Sequence, residues 1–144
     1  MTLASFHPIR LAHLVKDVVR TGSFKLRSPH WPAFCKSLER APGYNGCIAC
    51  GSMEEVEWHH VESFHECPER ELDATNVVPL CMDRRPGGTV RECHLNIGHK
   101  PPGAQHGDWR VNNPYVRFDA AAQLQKLKAS KTVAQQLVRE MKEA

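Results

Sequence analysis

Residues 47–51 read Cys47-Ile48-Ala49-Cys50-Gly51, two thiols two residues apart with a glycine behind them. Thiolates at that spacing converge on one tetrahedral ion, and the glycine relieves the tight backbone that follows. A lone pair of this kind carries little weight. Here Cys81 follows the apolar run Val77-Val78-Pro79-Leu80, and Cys93 lies twelve residues further on. The chain therefore offers four thiolates in two halves, with Pro86-Gly87-Gly88 filling the wide spacing of the second half. An isolated cysteine is more often a small buried hydrophobe. Four of them bracketing two short strands predict a structural zinc site made of Cys47, Cys50, Cys81 and Cys93. Cys35 and Cys67 have no partner at metal spacing and read as ordinary thiols.

Working outward, Val56-Glu57-Trp58 and Val77-Val78-Pro79-Leu80 have strand character, and the charged, proline-containing loop between them predicts two short strands facing each other. Before the cysteines, Ile9, Leu11, Leu14, Val15, Val18 and Val19 recur at helical spacing, with Gly22 as a stop. Ser28-Pro29-His30-Trp31-Pro32 breaks the chain, and residues 32–40 predict a short helix with Phe34 and Leu38 on one side. Residues 84–89 and 100–107 are Pro/Gly-rich surface loops. The tail from Asp119 carries Leu124, Leu127, Val133, Leu137, Val138 and Met141 among polar residues, which predicts one long amphipathic helix or two short ones. The expected organisation is an N-terminal helical extension over 1–27, a central domain over 28–118 and a C-terminal helix over 119–144.

Composition sets the bounds. The chain has 144 residues, 41% apolar and 24% charged, the length and balance of one globular domain. Only 7% are aromatic, so its core is modest and a metal staple is useful. A net charge of +3 neither requires nor excludes a nucleic-acid partner, because clustering matters more than the sum. No apolar run reaches membrane-spanning length, so no membrane association is expected. Residues 1–20 lack the apolar core of a signal peptide, which points to a cytoplasmic chain with reduced thiols. In that compartment a close cysteine pair favours metal over a disulfide.

Nested inside the cysteines are Trp58-His59-His60, Thr75-Asn76-Val77-Val78, and Cys93-His94 followed by His99. This order resembles the HNH endonuclease family, also called ββα-metal or His-Me finger nucleases. The resemblance extends to Glu57-Trp58-His59-His60-Val61, Phe64-His65, Glu71-Leu72-Asp73, Cys93-His94-Leu95-Asn96-Ile97-Gly98-His99, Ser28-Pro29-His30-Trp31-Pro32, and Asp108-Trp109 with Asn113-Pro114. It spans about residues 28 to 119 and points to a prokaryotic and phage-type subgroup with a four-cysteine zinc site. It implies an α+β fold: a small ββα-metal core with a zinc-knuckle staple and flanking helices, in a prokaryotic or phage-infected cell.

Hydrolysing a phosphodiester requires activating water, relieving negative charge on phosphorus and helping an oxygen leave. A neutral imidazole and one divalent cation can together do all three. The resemblance implies that His60 is the general base, that His59 and His94 are catalytic residues holding the ion, and that Asn76 holds the base's loop through backbone hydrogen bonds. The ion is Mg, Mn, Ni or Zn. The third ligand is His99 or a water in its place: five residues after His94, an unbroken α-helix would aim His99 away, unless Gly98 ends the helix in a left-handed conformation and curls it back. His65 sits where the loop passes the scissile phosphate, to contact phosphate or the loop backbone or simply to be solvated. Asp73 reads as a turn cap. Arg84, Arg85, Arg91 and Lys100, with Arg110 and Arg117 nearby, are the expected phosphate contacts, and Arg20, Lys25, Arg27 and Lys36 before the knuckle can also pair with phosphates. The implied activity is hydrolysis of DNA, by nicking or double-strand cleavage. The alternative is a zinc-stabilised nucleic-acid-binding or assembly module with little cleavage. Cutting both strands with one site per chain asks for a homodimer or two visits, and phage packaging is one process that uses such enzymes.

Overall fold

The computed structural model describes residues 27–83 and 91–143, except the side chains of Asp83 and Arg91. The predicted helix over 9–19, Arg20, Lys25 and the loop residues Arg84 and Arg85 lie outside the described residues. Helix α1 spans Trp31–Glu39, with Pro32 in its first turn, where a missing N–H costs nothing. Strand β1 is Val56–His60 and strand β2 is Val77–Asp83. Between them lie two single 3-10 turns, Pro68–Arg70 and Ala74–Asn76. The order then runs through a two-residue strand β3, Arg91–Glu92, a five-residue π-helical turn, His94–Gly98, and helix α2, Val116–Glu143. The architecture is a small mixed α/β one.

The two expected strands do face each other. They pair antiparallel from Val56 opposite Cys81 to His60 opposite Val77, a register that brings Trp58 to Pro79 and His59 to Val78. The third strand is a finding of the structure: Glu92 pairs with Met82 and Arg91 with Asp83. Two residues are too few to show a period in the sequence. Because β3 reaches only that end of β2, Pro79 lies where β2 has a neighbour on one side only, which is where a strand tolerates proline.

The core is the packing of Leu80, Val78, Ala49, Val116 and Ala120 around Cys47, Cys81 and Cys93. So few large apolar groups bury little surface, and the thiols occupy the centre of what there is. Helix α2 is one continuous helix of 28 residues. It begins three residues earlier than the sequence suggests, because Val116 and Ala120 are both fully buried and anchor its first turns. From residue 128 to 143 every position is exposed. None of the described helices is long and apolar enough to cross a membrane.

Candidate functional site

The knuckle is built by its backbone. Gly51 N–H donates to the Cys47 carbonyl at 2.8 Å, Gly51 takes the left-handed φ of +75° expected of it, and Ile48 N–H docks the turn onto the Pro79 carbonyl of β2 at 3.0 Å. The sulfurs of Cys47, Cys50, Cys81 and Cys93 then lie within 4.8 Å of one another, with Cys50 and Cys81 3.5 Å apart. Zn–S bonds of about 2.3 Å in a tetrahedron require sulfurs about 3.8 Å apart, so the donor set fits. Hydrogen bonds from Cys81 and Cys93 hold the Cys47 thiol well below the usual thiol range. Hydrogen bonds with Cys47 and Cys81, followed by burial, push Cys93 far up. One thiolate is welcome here and further ones need a cation. Neither Cys35 nor Cys67 belongs to this group. Burial, with Glu39 nearby, raises the Cys35 thiol to about 11.

A second convergence joins His59, His94 and His99, whose ligand nitrogens also lie within 4.8 Å of one another. His59 is 3% exposed, and its Nε2 is buried with no hydrogen-bond partner. Such an orphan is unfavourable by about 1–3 kcal/mol, and a coordinated ion removes it. Burial, followed by the His94 and His99 charges, lowers the His59 pKa to about 2, so the ring is in the neutral form that ligates metal. His94 Nδ1 donates to Glu57 Oε2 at 2.9 Å and His99 Nδ1 donates to the Val111 carbonyl at 2.6 Å. Both acceptors fix a tautomer that leaves the Nε2 lone pair for a ligand bond. The donors fit a divalent ion of the borderline class. With the cysteine site loaded, Glu57→Gln is expected to weaken divalent-ion binding at the imidazoles by about 10–100-fold, read by competition with a chromophoric chelator.

His99 reaches this group by a different route from the one expected. Gly98 does not take a left-handed φ; the described glycines that do are Gly43, Gly46, Gly51 and Gly103. Instead the turn His94–Gly98 is π-helical. Widening to i→i+5 bonding brings residues five apart onto one face, as an α-helix does for residues four apart. What Gly98 supplies is room: a Cβ there would lie 2.9 Å from His59 Nδ1 and 3.0 Å from Leu80 Cδ1. Gly98→Ala is therefore expected to destabilise the fold by about 1–3 kcal/mol, measured by urea unfolding, and to weaken metal binding by displacing His59.

His60, next along β1, lies outside that triad. Its ring stacks on Trp31, centroids 4.7 Å apart at 24°, and Phe64 lies 6.3 Å away. Its Nε2 donates to the Glu71 carbonyl at 3.2 Å, which leaves Nδ1 with the lone pair and no hydrogen-bond partner among the described residues. Burial, then the Arg27 charge, lowers its pKa to about 4, so the ring is neutral near pH 7. Asn76, 1% exposed, ties down the loop after His60. Its Oδ1 accepts from Glu62 N–H at 2.8 Å, and its Nδ2 donates to the Glu62 and Arg70 carbonyls at 3.1 and 3.2 Å. Asp73 caps the adjoining turn, accepting from Thr75 N–H at 2.8 Å.

The expected phosphate contacts divide. Lys100 follows His99 directly and is half-buried, and Arg91 lies on β3. Arg110 is paired with Asp108 at 2.7 Å, and Arg117 donates to the Thr75 and Val77 carbonyls, so both are engaged within the protein. His65 lies in the loop, its N–H on Ser63 Oγ at 3.2 Å and its ring 5.7 Å from Phe64. Sequence reasoning missed the jobs of Glu57 and Trp31, although both stand in motifs it singled out. The same is true of Trp109, whose ring lies 4.7 Å from His99 and 5.4 Å from His94, and of Asn113, which is buried and donates to the Ile97 carbonyl at 2.8 Å. Compared with known proteins, the chain matches no family model, no curated protein and no solved structure.

Proposed function

We propose that the chain is a divalent-metal-dependent DNA endonuclease of the HNH type, with His60 as general base. The catalytic ion, Mg, Mn, Ni or Zn, belongs at His59, His94 and His99, and a structural zinc at Cys47, Cys50, Cys81 and Cys93. The observation that carries the reading is the division of labour at adjacent positions of β1: His59 joins two other imidazoles, while His60 is held by a backbone carbonyl with its other nitrogen open.

In this reading His60 Nδ1 takes a proton from water as the water oxygen bonds to phosphorus, and the bond to the 3'-side oxygen breaks, that oxygen taking up a proton from solvent. An ion held by His59, His94 and His99 would supply Lewis-acid relief of the charge that develops on the phosphate. Asn76 keeps the Glu71 carbonyl in place by pinning the loop on which it sits, so the Nε2–H tautomer is held through the step. The products are a 5'-phosphate and a 3'-hydroxyl, as the family resemblance implies.

Nicking of supercoiled plasmid tests this directly. The protein is expected to relax plasmid with Mg, Mn, Ni or Zn present, to stop when a chelator is added, and to resume on metal add-back. No cleavage with any of the four ions, in protein that keeps its cysteine-bound zinc and retards DNA in a gel, replaces the reading with a zinc-stabilised DNA-binding module.

A further inference from the structure

We propose that residues 27–31 are a strap that seats His60, with Trp31 and Glu71 as positioning residues; the inference rests on the nuclease reading for its kinetic consequence but not for its geometry. One face of the imidazole is covered by the Trp31 indole at 4.7 Å and 24°, a stacked arrangement that fixes the plane of the ring. The Glu71 carbonyl fixes rotation within that plane by accepting from Nε2 at 3.2 Å.

The two restraints meet in one residue. Glu71 is 5% exposed, and its carboxylate accepts from Ser28 N–H at 2.8 Å and pairs with Arg27 at 3.7 Å. Its backbone therefore holds the base while its side chain holds the strap. Arg27 completes the closure, with its guanidinium 4.7 Å from the Trp31 ring centroid and 5.2 Å from that of Phe64, the other aromatic beside His60. A cation over two rings and against a buried carboxylate locks the strap's N-terminal end. Nδ1 of His60 is thus aimed by a contact 29 residues upstream and another 11 residues downstream.

The test uses the full zinc-loaded chain and its variants Trp31→Ala, Trp31→Phe and Glu71→Gln. Correlation spectra of the histidine ring nitrogens are expected to show His60 as a single Nε2–H tautomer in the parent and in Trp31→Phe, and as a mixture in Trp31→Ala and Glu71→Gln. In plasmid nicking, Trp31→Ala is expected to lower kcat by about 10–100-fold with KM within about two-fold, Trp31→Phe to recover most of the rate, and Glu71→Gln to fall between them. A single tautomer retained in both Trp31→Ala and Glu71→Gln overturns the strap, as does an unchanged kcat in Trp31→Ala. If the parent chain cuts no DNA, the nuclease reading fails while the ring-nitrogen spectra still decide the strap.

Discussion

His60→Ala is expected to slow plasmid nicking by about 10²–10⁴-fold, the usual contribution of a positioned general base. That range corresponds to about 2.7–5.5 kcal/mol of barrier. The His60 ring is neutral near pH 7, because burial and Arg27 lower its pKa to about 4, so its lone pair is present throughout the neutral range. Alanine removes both that lone pair and the ring stacked on Trp31, so part of any loss could come from the void left beside the indole. His60→Gln separates the two effects. Its amide can still donate to the Glu71 carbonyl and fill much of the space, yet it cannot take a proton. Both variants are expected to be equally slow at saturating metal, while only His60→Ala has a clearly lowered Tm. Cleavage at the parent rate in both would remove His60 from the chemistry.

The second large effect is structural. Cys81→Ser is expected to empty the cysteine site and unfold the chain at ordinary temperatures. Cys81 is fully buried on β2, in contact with Cys50 and at the centre of the core. A structural zinc supplies about 10–16 kcal/mol of binding free energy, which is as large as the whole net stability of a typical domain, about 5–15 kcal/mol. With a core of so few apolar groups, nothing else among the described residues replaces it. Metal content by elemental analysis, with melting followed by circular dichroism, checks this. Cys35→Ser and Cys67→Ser are the controls and are expected to keep their zinc. Full metal content and an unchanged melting curve in Cys81→Ser would show that the thiols are only buried side chains.

Much of both clusters was legible because cysteine and histidine are scarce and their spacing is local. Cys47 and Cys50 face one point by virtue of a single turn, and β1 had to deliver His59 and His60 together. The pairing of β1 with β2 follows from short β-branched runs. What the chain hid were contacts between distant residues with no period to betray them. Glu57 holds His94 from 37 positions away. Val111 offers a main-chain carbonyl to His99, and no residue type announces a carbonyl. The π turn was hidden for another reason: helical spacing was counted at 3.6 residues per turn, and a local widening changes the count without changing the composition. Arg110 and Arg117 read as free charge, and only the fold shows them committed to Asp108 and to β2.

Cys93 and His94 are consecutive residues that serve different clusters. One peptide bond therefore joins the cysteine cluster to the histidine cluster, and ions bound at both are expected to influence each other. An ion on the thiols that fixes Cys93 would also fix the backbone next to His94, which would lessen the conformational freedom His94 loses on binding an ion of its own. Thermodynamic reciprocity then requires the converse: an ion on the imidazoles tightens the grip of the thiols by the same factor.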